Sequence, residues 1–271
     1  MRSKKTLYLQ QVIIVSLIFC GSLPAAFEFQ GLGWAAASAN IRVVGEAHSD
    51  RFNVNPSLMR ENPTGSIDLH YSKPFAGLDL QAGALSANFK AGRIPAVSVL
   101  QYFGDDVYSE IRYKGGLCFA LAPELYSGVS LAYQQLSIQG FDSRAALTIS
   151  TSISLDIAND LQVGSVLEHL MRLHDSVKIP QKFLFGVSYN SGPAMLSISV
   201  EKEAALPLEV CLGAVSSKDR KFQLAAGYRN LSRSISLGWR FRYKQIGMYY
   251  SWMNHPHLPV SNGFGFEAHF Q

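Results

Sequence analysis

A strict alternation of side chains in Ser234–Tyr243 constrains the fold of this chain more than any other feature. Every second residue there is large and apolar: Ile235, Leu237, Trp239, Phe241 and Tyr243. The residues between them are Ser, Gly or Arg. A period of two is typical of a β-strand, because successive side chains point to opposite faces. The stretch therefore predicts a strand with one bulky apolar face and one small or charged face.

Stretches with the same alternation, separated by turn residues, continue from residue 65 to the end of the chain. We predict fourteen strands, at 65–73, 78–87, 97–103, 112–122, 128–138, 144–157, 161–171, 181–190, 194–203, 207–216, 221–229, 232–243, 246–253 and 261–270. An even number of strands, each close to the roughly 9–11 residues that cross a bilayer obliquely, is typical of bacterial outer-membrane barrels. The predicted fold is all-β, a transmembrane antiparallel up-and-down β-barrel over residues 65–271. Gln101, His169 and Arg172 fit their strands poorly.

The two strand faces differ in chemistry. In a membrane barrel the apolar face contacts lipid, and the face rich in Gly, Ser and charged residues lines the lumen. The charged residues predicted to line the lumen are Glu201, Glu209, Arg229, Arg240 and Arg242. Such a lining is usually solvated or paired. Arg240 and Arg242 point the same way, and their candidate partners are Glu209 and Glu267.

The first 26 residues have the composition of a secretory signal peptide. Arg2, Lys4 and Lys5 precede an apolar run at 12–20, and small residues follow it. This run is shorter than the roughly 20 apolar residues of a spanning helix. We therefore expect export to the outer membrane of a Gram-negative-type bacterium. A secreted soluble β-protein is the alternative, but its polar face would carry more Lys and Glu than this one.

The composition offers little chemistry. Charged residues make up only 16% of the chain and form no extended basic cluster, so nucleic acid is not an expected partner. His255 and His257 share a loop without a nearby carboxylate, and His169 and His174 do not share a strand face, so no metal site is predicted. No motif such as G-x-S-x-G surrounds a serine, which disfavours an outer-membrane hydrolase. We expect neither catalysis nor a cofactor.

Three cysteines occur in the sequence, and one of them lies within the predicted signal peptide. The other two, Cys118 and Cys211, lie in predicted strands far apart along the chain. Two cysteines make a poor disulfide framework, so we expect two free thiols that are buried or face the lumen.

Two short motifs resemble the FadL-like and PorV/PorQ-like outer-membrane proteins. Near the N-terminus, Gly31 and Gly33 open a Gly/Ala-rich run, and Asn55-Pro56 is similar to the "NPAxL" motif of that group. Near the C-terminus, residues 252–258 are similar to its "HPxLG" turn. The resemblance implies that residues 27–64 form a hatch inside a fourteen-stranded barrel. It also implies that the Phe-rich last strand, with Phe264, Phe266 and Phe270, serves as an assembly signal.

The resemblance implies two possible functions. One is a PorV/PorQ-like component of type IX secretion, which binds exported proteins or secretion-machinery subunits. The short loops predicted on the extracellular side favour this function. The alternative is a FadL-like conduit for hydrophobic small molecules such as fatty acids or hydrocarbons, in which the hatch gates a lateral opening. Outer-membrane lipid is an expected partner in either case.

Overall fold

The computed structural model describes residues 33–46, 48–61, 65–175, 179–204, 206–216, 221–256 and 258–270. The predicted signal peptide at 1–26, Gly31 and His257 lie outside the described residues. Within the described part of the chain, no helix is both long and apolar enough to cross a membrane.

Fourteen antiparallel strands form a closed barrel. They are β1 (Gly65–Lys73), β2 (Gln81–Ala91), β3 (Ile94–Gly104), β4 (Tyr108–Ala122), β5 (Leu125–Ile138), β6 (Arg144–Ala158), β7 (Leu161–Asp175), β8 (Lys182–Asn190), β9 (Ala194–Glu203), β10 (Glu209–Ser216), β11 (Phe222–Arg229), β12 (Ser234–Tyr243), β13 (Ile246–Asn254) and β14 (Ser261–Phe270). Each strand pairs with its neighbours in sequence, and β1 pairs with β14 to close the barrel. The predicted fold class and strand number are confirmed.

The outer surface is a band of exposed aliphatic and aromatic side chains. In β12, Ile235 and Leu237 are each 49% exposed, whereas Ser236 and Arg240 on the opposite face are almost fully buried. The same alternation runs through the other strands, as shown by the burial of every second residue of β1. Such a band is the surface that a bilayer covers in a transmembrane barrel.

Strand β7 departs from regular alternation at His169. His169 in β7 has a positive φ of 58°, and the register between β6 and β7 shifts between Ile149 and Thr151. These are the marks of a β-bulge, which turns two successive side chains to the same face. Glu168 and His169 are both buried on the inner face. The bulge explains why His169 and Arg172 fit a regular strand poorly. Gln101 lies beside a small internal cavity.

The residues before β1 lie inside the barrel, and we call the described part of 33–61 the inner segment. It contains the 3₁₀ helix η1 (Trp34–Ser38), the α-helix α1 (Ser49–Val54) and the 3₁₀ helix η2 (Pro56–Glu61). Its apolar side chains pack against inward-facing residues in three clusters. Ile41 and Val43 belong to one cluster with Leu184, Phe52 and Leu58 to a second with Val97, and Trp34 to a third with Tyr249. The core of the molecule is therefore the lumen, filled by the chain itself.

Glycines on the inner face let the inner segment approach the wall closely. They lie on seven strands and form what we call the glycine girdle: Gly116, Gly128, Gly164, Gly186, Gly213, Gly227 and Gly238. A Cβ atom added to Gly213 would lie 2.8 Å from the Ser38 carbonyl oxygen, and one added to Gly186 would lie 2.5 Å from Val43 Cγ1. Both distances are too short for non-bonded atoms. The missing side chains are thus what makes room for the inner segment.

Candidate functional site

The candidate site is the barrel interior, which has two ends. The proximal end carries Gly65 and Phe270, where the barrel strands begin and finish. The distal end carries the turns after the odd-numbered strands, of which the longest is the seven-residue stretch 74–80. Short turns leave the distal end without a large external domain.

A cavity of about 200 Å³ opens at the distal end, and we call it the distal cavity. Its lining is partly apolar and partly polar: Ala36, Asn40, Ser72, Phe75, Lys182, Arg229, Ser251, Trp252, Met253, His255, Ser261, Asn262 and Gly263. Phe75 packs on His255 with ring centroids 5.2 Å apart. Burial lowers the pKa of His255, and the nearby Arg229 lowers it further, so the imidazole is neutral at neutral pH.

A second depression lies on the outer surface of the wall between β8 and β11, and we call it the outer groove. It measures about 620 Å³ and is lined by Val187, Tyr189, Leu196, Ser197, Ile198, Leu212, Gly213, Ala214, Ala226, Gly227 and Tyr228. Ala214 pairs directly with Ala226, and Gly213 pairs with Gly227. Because side chains are small on both faces at this point, little more than backbone separates the groove from the interior.

Residues 36–41 of the inner segment lie between these two spaces. Ala36 and Asn40 line the distal cavity. Ser38 and Ala39 pack against Gly213 and Gly227, on the inner side of the outer groove. One short stretch of chain therefore closes the distal cavity off from the thinnest part of the wall.

An ionic network borders the distal cavity. Lys182 Nζ lies 2.7 Å from Glu201 Oε2, and Arg229 lies 3.6 Å from the same oxygen. Arg229 also contacts Glu209, which accepts a hydrogen bond from the Ser232 hydroxyl. Three of the five charges predicted to line the lumen are thus brought together. The sequence analysis did not single out Lys182, because it stands at the first position of β8.

The two remaining predicted charges meet nearer the proximal end. Arg240 Nε and Nη2 donate to the two oxygens of Glu267 at 2.9 and 2.7 Å, and Arg242 Nε donates to Glu267 Oε1 at 3.0 Å. Both arginines therefore contact Glu267, one of their two candidate partners. The other candidate, Glu209, pairs with Arg229 instead. Arg240 Nη1 also reaches Glu46 of the inner segment at 3.3 Å. Arg240 therefore links the wall to the inner segment.

The start of helix α1 contributes a buried histidine–aspartate pair. His48 Nδ1 lies 2.7 Å from Asp50 Oδ1. Burial by itself lowers the pKa of His48, but the Asp50 and Glu267 carboxylates together outweigh this effect and raise the pKa to about 9. Burial raises the pKa of Asp50, but His48 opposes it and holds the pKa well below its usual range. The sequence analysis missed both residues, because this stretch has no hydrophobic period and its only signal is an acidic residue in the first turn of a helix.

A further buried ion group lies on the inner faces of β4 and β7. Glu168 lies 3.5 Å from Arg112 and 3.8 Å from Lys114, and all three are almost fully buried. The bulge at His169 places Glu168 here. The alternation of side chains in a regular strand does not predict this group, because the bulge changes the face on which the residues after it lie.

The motif residues near the N-terminus occupy turns of the inner segment. Gly33 has a φ of 92°, a conformation that glycine tolerates. Asn55 Nδ2 donates to the Val43 carbonyl at 2.7 Å, and Asn55 Oδ1 accepts from the Ser57 N–H at 3.1 Å. Pro56 fits against Gly116 and Gly128 of the girdle. These residues shape the segment and bring it against the wall.

The other residues from the sequence analysis lie apart from these groups. Phe264, Phe266 and Phe270 are on the outer face, between 38% and 49% exposed. Cys118 and Cys211 are buried thiols that form no disulfide with each other. His255 contacts Ser261 at 3.1 Å, and His169 contacts Thr148 at 3.1 Å. Among the described residues, one group of possible metal ligands lies within 4.8 Å, and it consists of His48, Asp68 and Glu267.

Comparison with known proteins identifies the fold. No family model matches the chain, and no curated protein sequence matches it. Among solved structures, the CymD monoaromatic hydrocarbon channel matches with a TM-score of 0.69 and 12% identity, over 91% of this chain and 99% of its own. The deltaS2 mutant of the TodX monoaromatic hydrocarbon channel matches with a TM-score of 0.73 and 10% identity, over 90% of this chain and 100% of its own.

A crystal structure of the Pseudomonas putida toluene transporter TodX also matches. Its TM-score is 0.64 at 8% identity, over 87% of this chain and 95% of its own. At such identities the likeness establishes a shared barrel fold alone.

Proposed function

We propose that this chain is an outer-membrane conduit for small hydrophobic molecules, in which residues 36–41 of the inner segment act as the gate. One observation carries the proposal, which is that this stretch separates the distal cavity from the outer groove. A solute that enters at the distal end would reach the groove if the stretch moved. It would then leave sideways into the bilayer, where a hydrophobic molecule is stable.

The similar structures support this assignment. Those named above are described as hydrocarbon channels or a toluene transporter, and all of them share the barrel over nearly their whole length. The distal cavity has a compatible chemistry, because Phe75, Trp252 and Met253 offer apolar contacts beside a few polar groups. None of the structures named above is a secretion component. The PorV/PorQ-like role therefore stays a prediction, and the conduit is the better supported function.

Uptake of a labelled monoaromatic hydrocarbon such as toluene tests the conduit. The protein is expressed in cells whose outer membrane slows the entry of such molecules. Met253 lines the distal cavity, so Met253→Trp should fill it and reduce uptake towards the level of cells without the protein. The matched control is Met248→Trp on the outer face of the same strand, which should leave uptake unchanged. Equal uptake with and without the protein would exclude the conduit.

A reversible crosslink tests the gate. A Cβ atom on residue 213 would lie 3.3 Å from Ser38 Cβ, close to the roughly 3.5–4.5 Å that a disulfide spans. In a background with Cys118→Ser and Cys211→Ser, the pair Ser38→Cys and Gly213→Cys should form a disulfide on oxidation. A Cβ atom at residue 213 also lies 2.8 Å from the Ser38 carbonyl oxygen, so the segment has to shift slightly, and uptake by the reduced double variant must first equal that of the wild type. We expect uptake to stop in the oxidised protein and to return after reduction. Unchanged uptake in fully oxidised protein would show that residues 36–41 are not the gate.

A further inference from the structure

Two acidic side chains face each other across the seam that closes the barrel. Asp68 of β1 and Glu267 of β14 are direct register partners. Both lie on the inner face and are only 3% exposed. Like charges at directly opposed positions destabilise a sheet, and burial increases the cost because water no longer screens them. The seam therefore requires positive charge between these two carboxylates.

The existing partners leave one side of this pair uncompensated. Arg240 and Arg242 hold Glu267, but Asp68 has a weaker environment. Tyr249 donates a hydrogen bond of 3.0 Å to Asp68 Oδ1, whereas Asp68 Oδ2 has no hydrogen-bond partner among the described residues. His48 Nε2 lies 3.9 Å from that oxygen and 3.1 Å from Glu267 Oε2, so it pairs with Glu267 and leaves Asp68 Oδ2 without a close partner among the described residues. A buried polar atom without a partner marks a position for an ion or water.

We propose that a divalent transition-metal ion binds His48 Nε2, Asp68 Oδ2 and Glu267 Oε2. The ligand atoms lie within 4.8 Å of one another. In a tetrahedral zinc site with bonds of about 2.0–2.2 Å, neighbouring ligand atoms are roughly 3.3–3.6 Å apart. The distances of 3.1 and 3.9 Å from His48 Nε2 fall on either side of this range.

The surroundings of the three ligands match those of known metal sites. A metal-bound histidine usually donates its second ring N–H to a carboxylate, which fixes its tautomer and orientation. Asp50, 2.7 Å from His48 Nδ1, provides this partner. Tyr249 orients Asp68 in the same way, and Arg240 orients Glu267. All three ligands are thus held by a second group.

The donor types favour a doubly charged transition-metal ion. One imidazole nitrogen with two carboxylate oxygens suits Zn²⁺, Mn²⁺ or Fe²⁺ better than Mg²⁺ or Ca²⁺, which prefer oxygen ligands alone.

The ion would fasten three parts of the chain at one point. His48 belongs to the inner segment, Asp68 to the first strand and Glu267 to the last. The ion would thus hold the inner segment to the seam, near the proximal end, through residues outside 36–41. This inference does not depend on the proposed conduit, because it concerns the attachment of the segment and not the passage of a solute.

Metal content of the purified protein tests the site. Full-length protein in detergent, prepared without a histidine tag, is stripped with a chelator and then dialysed against Zn²⁺ or Mn²⁺. We expect about one tightly held ion per chain by elemental analysis, with a higher unfolding temperature than the stripped protein, because an ion that binds only the native state stabilises it. Asp68→Asn and His48→Gln should weaken binding at least about tenfold, since each removes a ligand. Glu209→Gln, which changes an interior carboxylate outside the site, should bind as the wild type does.

Each outcome decides the proposal. Stripped wild-type protein that takes up much less than one ion, and unfolds at the same temperature with and without metal, would overturn it. In that case the His48 imidazolium alone would serve as the cation between the carboxylates. Equal metal binding by the wild type and Asp68→Asn would also overturn it. The wild-type measurement requires no variant, so a variant that fails to fold does not leave the question open.

Discussion

The Ser236 hydroxyl forms hydrogen bonds with two successive peptide groups of the inner segment. Its oxygen accepts from the Ala39 N–H at 3.0 Å, and the same hydroxyl donates to the Ala37 carbonyl at 3.2 Å. Ser236 pairs with Gly227 on the neighbouring strand, so this attachment lies within the glycine girdle. The wall contributes the Ser236 hydroxyl, which bonds the backbone of the inner segment, and the missing side chain of Gly227, which leaves room for that backbone. Docking of the segment thus depends on small residues in the wall.

Gly227→Val should displace the inner segment and leave the barrel intact. A side chain at this position would collide with the backbone of Ala39, and overpacking of this kind costs about 1–3 kcal/mol or more. Limited proteolysis should then cut within residues 33–61, while heat-modifiable migration on gels, the mark of a folded barrel, remains.

Gly115→Val is the control, because Gly115 lies on the outer face of β4 with open space around its Cβ position. Equal protease resistance of the two variants would contradict the role that we assign to the girdle.

Arg240→Gln and Arg242→Gln should differ strongly, although both arginines contact Glu267. The Arg240 side chain is 1% exposed, and its loss leaves the buried Glu267 with a weaker partner, at a cost of about 3–5 kcal/mol. The Arg242 side chain is 27% exposed, so its loss should cost about 0–1 kcal/mol. Denaturant unfolding monitored by gel migration and by proteolysis of the inner segment measures both values. Similar destabilisation by the two substitutions would show that the burial of the arginine does not determine how much its ion pair with Glu267 stabilises the protein.

Asn55→Ala should expose Cys118. Asn55 holds a turn of the inner segment with two buried backbone hydrogen bonds, and leaving such groups unpaired costs about 1–3 kcal/mol each. Cys118 Sγ lies 3.6 Å from the Ser57 carbonyl, directly beside this turn. A thiol reagent should therefore modify Cys118 slowly in the wild type and faster in the variant, as mass spectrometry can follow.

Asn190→Ala, at the exposed end of β8, controls for general effects of the substitution. If Cys118 reacts rapidly in the folded wild-type protein, the inner segment does not cover it as described.

Phe270→Ala should reduce the amount of protein assembled in the outer membrane if the last strand serves as an assembly signal. Phe222→Ala is the matched control, because Phe222 has a similar exposure of 46% against 49% and stands at the proximal end of another strand. Membrane fractions that are immunoblotted without heating report the folded barrel in each case. Equal loss in both variants would attribute the effect to the outer apolar band and not to the last strand.

The strands were predictable because their side chains alternate. β1, β9 and β14 have the predicted ends, and β4 begins at Tyr108, four residues before the predicted start. The period of two depends only on local chemistry, since lipid requires apolar side chains on one face of every strand. The bulge at His169 interrupts the period, and this explains why the group around Glu168 was missed.

The interior was less predictable, because its contacts join residues far apart in sequence. Arg240 and Glu267 were recognisable as inward-facing from alternation, so their pairing was among the alternatives considered. His48 and Asp50 stand in a segment without regular period, and their importance depends on Asp68 and Glu267 lying opposite them in space. No local sequence pattern predicts such a contact between residues far apart in the chain. The girdle glycines were visible as small inward-facing residues, but the segment that fills the space they leave was expected only from the resemblance.

The opposed carboxylates at the seam have a consequence for the biogenesis of the protein. Until the inner segment is seated, no chain fills the lumen, and water can solvate Asp68 and Glu267. Seating the segment removes that water and brings His48 beside both carboxylates. The step that fills the lumen is therefore also the step that supplies the imidazole between the first and last strands.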